Sequence, residues 1–416
     1  MRIAYITPYQ GPELRRRRPI VENLALAGNL KIELIAELLE QRHHQVEIFS
    51  AGEVGARRFK FYPAFDETPV SAHNVHARYS SALPVRFVSG FWSTWQLLRI
   101  IRARHREAPF DLVIIYNLQQ PQAVSALYAV RRLRLPAILE YEDDALVDVL
   151  GSAQRGLRST VDQRLVTSVV GSIKGCIGVS PHLLSRTPES IPKVLLRGVI
   201  SPEIVAMRGD ASLTRKNWAV FSGTHFRSKG LPQLIAAWKL LRPAGWELHI
   251  AGYGELTDQL QRDSDETSIV FHGLLNRQEN ARLLYQSRIG VNPHELSRTP
   301  GNVFAFKIIE YLAAGAHVIT TPMGVLEPEL EAGVTYVPDN RPETIAQALA
   351  DVIARREFER TAADTVLGLY SPDAVATSLD GLIAQVRARG AQSTTADAGA
   401  HASPPDSGGH LHSNRS

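Results

Sequence analysis

A single cysteine in 416 residues, Cys176, leaves no partner for an internal disulfide and points to a reducing compartment. Long apolar runs are also missing. No stretch reaches the roughly 18–20 consecutive apolar residues that a membrane span requires. The opening segment MRIAYITPYQG has no basic region leading into an extended apolar core, so it reads as a strand and not as a secretion signal. There is no compact nucleic-acid motif and no basic sheet rich in aromatics, which argues against RNA or DNA as a partner. Together these absences lead us to expect a cytoplasmic protein.

What is present fits a soluble globular protein. Hydrophobic residues make up 44% and charged residues 21%. The length calls for two domains of about 150–200 residues each. The net charge of +4 hides an asymmetry: residues 1–200 carry 26 Lys and Arg against 18 Asp and Glu, and the remainder 20 against 24. A basic first half suits an acidic partner such as a phosphorylated substrate or an anionic membrane surface.

Short apolar runs that do not alternate recur along the chain, at 2–8, 45–51, 111–117, 136–142, 176–180 and 193–198. Helical patterns fall between several of them, at 30–41, 93–106 and 120–134. The series restarts at 218–223, 246–252, 268–273, 288–293, 316–322 and 334–339, with helices at 231–241, 257–262, 277–286, 307–314 and 342–355. Continuous apolar strands separated by helices predict parallel sheets covered on both faces. The fold class expected is therefore α/β, with two doubly wound, Rossmann-like domains. We expect an N-terminal domain at 1–197, a hinge at 198–216, a second domain at 217–370, a last helix at 371–389 with Ser371 as N-cap, and a disordered tail at 390–416. The tail histidines His401, His410 and His412 suit adventitious metal binding or, on composition, merely a flexible end.

In open parallel sheets, ligands bind beyond the carboxyl ends of the strands. Four such loops stand out in the second half. FSGTHFRSKG places Gly223, Arg227 and Lys229 between a strand and a helix start, where cations can neutralise a phosphate. HIAGYGE contributes Gly252 and Gly254, which permit close backbone approach. VFHGLLN contributes Gly273 and Leu274. NPHELSRTPGNVFAFKIIEYLAAG brings His294, Asn302, Val303 and Phe304, then a helix with Lys307 and Glu310 three residues apart on one face. That pair reads either as a surface salt bridge or as polar groups aimed at a ligand. Glycines and positive charge on one rim fit a nucleotide diphosphate.

These motifs resemble the donor-binding domain of retaining, GT-B-fold glycosyltransferases of family 4 (glycosyl transferases group 1). The resemblance rests on the strand–GT–x4–KG loop at 223–230, the AGYGE turn at 251–255, the HG turn at 272–273 and, above all, 302–318. It extends more loosely over about 1–385. It implies that Glu310 holds the ribose hydroxyls of a nucleotide sugar, a role suited to a carboxylate. Lys229, with Arg227, would meet the diphosphate as part of the catalytic machinery. Backbone amides at Val303 and Phe304 would touch the transferred sugar and phosphate. Asn302 replaces the usual first glutamate of the motif, and Thr224 stands where an arginine is common; Lys307 fits a variant with lysine three residues before the glutamate. In the first domain Glu142 or Asp143 of LEYEDDA occupies the neighbourhood of a frequent histidine. The acidic run 142–144 would suit Mg²⁺ in a single-domain glycosyltransferase. In two repeated halves it suits a helix cap or an acceptor hydroxyl, so no metal and no cofactor beyond the donor are expected.

The implied activity moves a hexose-type sugar from a UDP- or GDP-sugar to a hydroxyl of a glycan or lipid-linked acceptor. Rival readings are a sugar-nucleotide epimerase on the same architecture and a non-catalytic nucleotide-sugar-binding protein. Family members carry a glycine-bearing loop after the first strand; Gly11 and Gly28 match it in kind, with Asn29 as a candidate helix N-cap. Arg15, Arg16, Arg17 and Arg18 suit either an acceptor phosphate, an anionic bilayer or a solvated loop. Trp92 and Trp95, beside Arg99, Arg102, Arg104 and Arg106, suit a membrane interface or ordinary core packing. His294 is open between an acid–base or sugar contact and polar surface.

Overall fold

The computed structural model describes residues 1–18, 26–52, 54, 60–69, 74–85, 88–143, 157–210, 212–264, 267–296, 304–323, 326–355 and 361–400. Two sheets divide the chain. The first holds β1 (Arg2–Ile6), β2 (Gln45–Ser50), β3 (Phe65–Glu67), β4 (His76–Tyr79), β5 (Leu112–Tyr116), β6 (Ala137–Tyr141), β7 (Gly175–Gly178) and β8 (Lys193–Leu195), in the order β3-β4-β2-β1-β5-β6-β7-β8. All neighbours are parallel except β3 with β4. The second holds β9 (Lys216–Ser222), β10 (Glu247–Ala251), β11 (Ile269–Gly273), β12 (Ser287–Asn292), β13 (His317–Thr320) and β14 (Val334–Tyr336), fully parallel in the order β11-β10-β9-β12-β13-β14. Strands such as LVIIY and AILEY are buried at every residue because helices cover both faces. This is why the apolar runs do not alternate.

Strand order reverses beside β1 in the first sheet and beside β9 in the second. Each reversal opens a crevice at the carboxyl ends of the strands, where loops diverge to opposite faces. The short strand β3 at the edge of the sheet and its neighbour β4 are absent from the sequence expectation, since three or four residues carry too little periodicity to read. The helix Leu157–Val170 went unseen likewise, as did Pro181–Ser185 and Thr361–Tyr370.

Several boundary residues behave differently from expectation. The helix expected from residue 30 begins at Leu26, so Asn29 lies inside it and is not an N-cap. Its amide instead clamps the loop after β1: Oδ1 accepts from the Gln10 N–H at 3.0 Å, and Nδ2 donates to the Gln10 carbonyl at 2.9 Å. The arginines also divide. Arg15, Arg16 and Arg17 are exposed, with Arg16 and Arg17 paired to Glu13 at 2.7 and 3.2 Å. Arg18 is buried at 1% exposure and donates to the carbonyls of Pro63 (3.0 Å), Ser80 (2.6 Å) and Gly52. Its guanidinium is an internal strut, unavailable to a phosphate or bilayer. Arg18→Ala is therefore expected to cost about 2–4 kcal/mol in denaturant unfolding, since buried carbonyls lose their donor. Arg15→Ala should change stability by less than about 0.5 kcal/mol.

The stretch 198–216 carries a short helix, Pro202–Met207, capped by Ser201 and packed on Arg277–Gln286. The last helix, with the Ala374 N–H donating to Ser371 Oγ at 3.4 Å, runs Pro372–Ala400, beyond the limit of 389 expected for it. The alanines after 390 favour helix intrinsically, which the reading of that stretch as small and polar overlooked. Residues 401–416, with the tail histidines, lie outside the described residues. Leu382 and Val386 of this helix pack beside Gly175 of β7, and Arg42 meets Asp373 at 2.7 Å, so the helix rests against the first half.

Candidate active site

The helix Lys307–Ala313 is seated on the second sheet by Tyr311. Its hydroxyl accepts from the Ser222 N–H at 2.8 Å at the end of β9. Its ring fills the space over Gly290, where a Cβ would sit 2.3 Å from it. Ile308, Ile309 and Leu312 bury the rest of the contact face. Lys307 and Glu310 are thereby turned toward the crevice beside β9.

Both groups are desolvated, and no ion pair joins them within 4.0 Å among the described residues. Lys307 Nζ has no hydrogen-bond partner among the described residues; it lies 3.9 Å from the centre of the Phe221 ring and 2.7 Å from where a Gly223 Cβ would be. Burial pushes its pKa down to about 7, with the Lys229 charge adding and Glu310 opposing. Burial pushes the Glu310 carboxyl up to about 7, against the pull of Lys307. This is not a surface salt bridge. A buried ammonium without an acceptor is costly and calls for an anion.

Lys229 ends a 3-10 turn, Arg227–Lys229, directly after the Gly223 loop. Its Nζ lies 3.0 Å from His294 Nε2, and His294 Nδ1 donates to the Glu295 carbonyl at 2.9 Å. That second bond fixes the proton on Nδ1 and leaves Nε2 free to accept from the ammonium. Burial first, then the charges of Lys229 and Lys307, hold His294 down at about 4. A neutral His294 is thus a positioner of Lys229 and not a general acid at neutral pH. Burial also lowers Lys229, while the charge of Asp143 in the first half acts to raise it, so that carboxylate is within electrostatic reach of Lys229.

Two glycines make the rim possible. Gly230 has φ +72° and passes so close to Pro293 that a Cβ would lie 1.8 Å from its carbonyl oxygen. Gly252 has φ +123°, and a Cβ there would meet the Gly223 carbonyl at 1.9 Å. The two loops are further tied by Thr257, whose Oγ1 accepts from the Gly254 N–H at 2.8 Å and lies 2.9 Å from Nδ1 of buried His225. His225 and Thr257 carry no recognisable spacing signal; only the fold brings them together. Gly273 has φ +67° with open space around it, and Leu274 beside it is 67% exposed, an accessible apolar ledge on the same rim.

Arg227 is exposed on its turn, apart from the buried cations. Asn302 and Val303 lie outside the described residues. Phe304 is under the Arg197 guanidinium at 4.3 Å, and Arg197 pairs with Glu327 at 2.9 Å. On the facing side, Asn117 (φ +57°) receives the N–H groups of Glu142 at 2.7 Å and Asp143 at 3.1 Å, fixing the turn after β6. Glu142 pairs with Lys31, which lies 3.5 Å from Glu140; Tyr5 donates to Glu140. Burial raises Glu142 to about 8. Asp144 lies outside the described residues. Lys31 sits on a distant helix, so no sequence spacing points to it.

With this geometry in place, known proteins provide the comparison. Residues 216–355 match the family described as glycosyl transferases group 1, and residues 30–187 match the glycosyl transferase 4-like domain. The chain belongs to the group 1 glycosyltransferases. Its fold is GT-B: sucrose-phosphate synthase from Thermosynechococcus elongatus superposes with a TM-score of 0.67 at 15% identity, covering 94% of this chain and 100% of that one. HepE from Anabaena, solved in complex with UDP, gives 0.62 at 14% identity, covering 92% and 100%. A GDP-mannose-dependent alpha-(1-6)-phosphatidylinositol dimannoside mannosyltransferase of Mycobacterium tuberculosis is 30% identical over 156 residues, 35% of this chain and 40% of that protein. The match thus spans less than half of the curated relative. This group 1 glycosyltransferase has no described helix long and apolar enough to cross a membrane.

Proposed function

We propose that the enzyme transfers a hexose-type sugar from a UDP- or GDP-sugar to a hydroxyl of a glycan or lipid-linked acceptor, with retention of anomeric configuration and without a required metal. One observation carries this reading: Lys307, its ammonium buried and without an acceptor among the described residues, feels the charge of Lys229 and shares a helix face with Glu310. A sugar diphosphate supplies the missing negative charge, and the Glu310 carboxylate can accept two ribose hydroxyls. As the sugar–phosphate bond breaks, charge grows on the departing diphosphate. Lys229 and Lys307 are already oriented and dehydrated, so they stabilise that charge without reorganisation. The departing phosphate oxygen lies on the same face as the incoming hydroxyl and can take its proton, which accounts for retention. Asp143, within electrostatic reach of Lys229, suits an acceptor hydroxyl. The relatives' named ligands, GDP-mannose in one and UDP in another, agree with this donor class without choosing the base.

Thermal-shift screening against UDP, GDP and ADP and their sugars is expected to give one strongly stabilising nucleotide sugar. Its turnover should survive EDTA, because two lysines provide the counter-charge that Mg²⁺ provides elsewhere. Loss of activity in EDTA, restored by Mg²⁺, would count against the metal-free reading. Conversion of the donor with no acceptor consumed would favour an epimerase.

A further inference from the structure

The helix Ser89–Glu107 of the first half carries an exposed stripe that the donor site does not use. Val88, Phe91 and Trp95 are 41%, 72% and 42% exposed, and Arg99, Arg102 and Arg106 are exposed beyond them. At 100° per residue these six positions fall within about 80° of one another. They form one line, apolar at its start and basic at its end. Buried Ser93, Thr94, Leu97 and Ile101 lie on the other side, so core packing accounts for them and not for Phe91 or Trp95. Trp92 divides from Trp95: it is half-buried, and its Nε1 donates to Ser81 at 3.1 Å.

The stripe is also placed suggestively. β4 runs parallel to β2 and ends on the rim where the crevice opens, and the helix starts ten residues later. Its apolar end therefore lies toward the crevice rim. The exposed Arg15, Arg16 and Arg17 follow β1 onto the same rim. The helix's only acidic residue, Glu107, is turned about 80° beyond the nearer edge of the stripe and paired with Arg104.

We propose that this stripe docks the first half on an anionic bilayer surface. Phe91 and Trp95 enter the interface between headgroup and acyl chain, and the three arginines meet anionic headgroups. Aromatics followed by basic residues on one helix face suit that boundary, where an apolar layer lies beneath a negatively charged one. A protein partner would need acidic groups matched to three arginines spaced along a whole helix, whereas a fluid bilayer supplies negative charge at any spacing. Docking here turns the crevice rim toward the membrane. It deepens the proposed function only in naming where a lipid-linked acceptor would be met, and it holds or fails without any turnover.

The test is sedimentation of the full chain with vesicles of phosphatidylcholine alone, or with about one-third phosphatidylglycerol. The protein is expected to pellet with the anionic vesicles, much less with neutral ones, and to be released by salt. Phe91→Ser with Trp95→Ser should weaken partitioning at least about tenfold. Arg99→Glu, Arg102→Glu and Arg106→Glu together should weaken it on the order of 100-fold. Both variants should keep the thermal shift given by the donor, which shows an intact fold and donor site. Absence of binding to anionic vesicles, equal binding to neutral ones, or undiminished binding by both variants would overturn the proposal. So would a dimer in light scattering that Phe91→Ser and Trp95→Ser dissolve, since a second copy would then own the stripe.

Discussion

Lys307→Met is expected to lower turnover by on the order of 10²–10³ while leaving the melting temperature unchanged or raised. The two halves of that expectation come from the same fact. Lys307 pays for its position in desolvation, with no hydrogen-bond acceptor among the described residues, the charge of a second lysine against it, and the Phe221 ring at 3.9 Å and the Glu310 charge in partial compensation. Methionine has a similar length and no charge, so the folded state loses a buried, uncompensated ammonium. The transition state loses a positioned cation at the moment when charge builds on the leaving diphosphate. Gain of stability with loss of function marks a residue kept for chemistry. Kinetics with the donor found by thermal shift, set beside a melting curve of the free enzyme, provides the check. A variant that melts several degrees lower yet turns over normally would make Lys307 a structural residue and remove the central support of the proposed function. Lys229→Ala should show the same scale of kinetic loss, with His294 left in place.

Donor affinity is expected to pass through a maximum near pH 7 and to fall about tenfold per unit on the alkaline side. In the free enzyme Lys307 titrates at about 7, so above that pH it must take up a proton for the diphosphate to bind. Glu310 also titrates at about 7, so below that pH it must release one before it can accept two hydroxyls. A nucleotide sugar is the right probe, because its diphosphate carries no ionisation of its own in this range. The same groups shape stability in the absence of donor. Lys307 has a folded pKa below its ordinary value of 10.5, so the unfolded chain binds more protons and its penalty shrinks as pH rises from about 7 toward 10.5. Glu310 has a folded pKa above its ordinary 4.5, so the folded chain binds more protons and its penalty grows from about 4.5 to 7. The combined destabilising contribution of this pair is therefore largest near neutrality, and donor binding should remove it. Calorimetry across pH would measure both effects, and Lys307→Met should erase the alkaline limb alone. An alkaline limb that survives in that variant would assign the titration to another group.

Much of the donor half was legible because its signals are local. The strands at 218–223, 246–252 and 288–293 each lie within two residues of their observed bounds, since a buried parallel strand announces itself in a handful of consecutive residues. Glycines at 223, 230, 252 and 254 mark turns whose geometry depends on the backbone within a few positions. Lys307 and Glu310 share a face by helical spacing alone. By contrast, Asn29 looked like a cap because the residues after it are strongly helical, yet a tertiary hydrogen bond to Gln10 was its use, and the helix began earlier. Arg18 looked like its three neighbours in a basic run, and only the carbonyls of Gly52, Pro63 and Ser80, gathered from three other segments, separate it from them.

The sequence by itself determined the repeated strand–helix pattern, the glycine turns and the residue types on the rim, because these follow from short-range sterics and hydrophobic periodicity. Tertiary structure decided which charges are dehydrated. Whether Lys307 meets an acid or none, whether His294 accepts from Lys229, and whether Asp143 of the first half comes within electrostatic reach of Lys229 all depend on what distant segments remove from water. Desolvation is a property of the assembled surroundings, and the electrostatics that give this site its chemistry arise there.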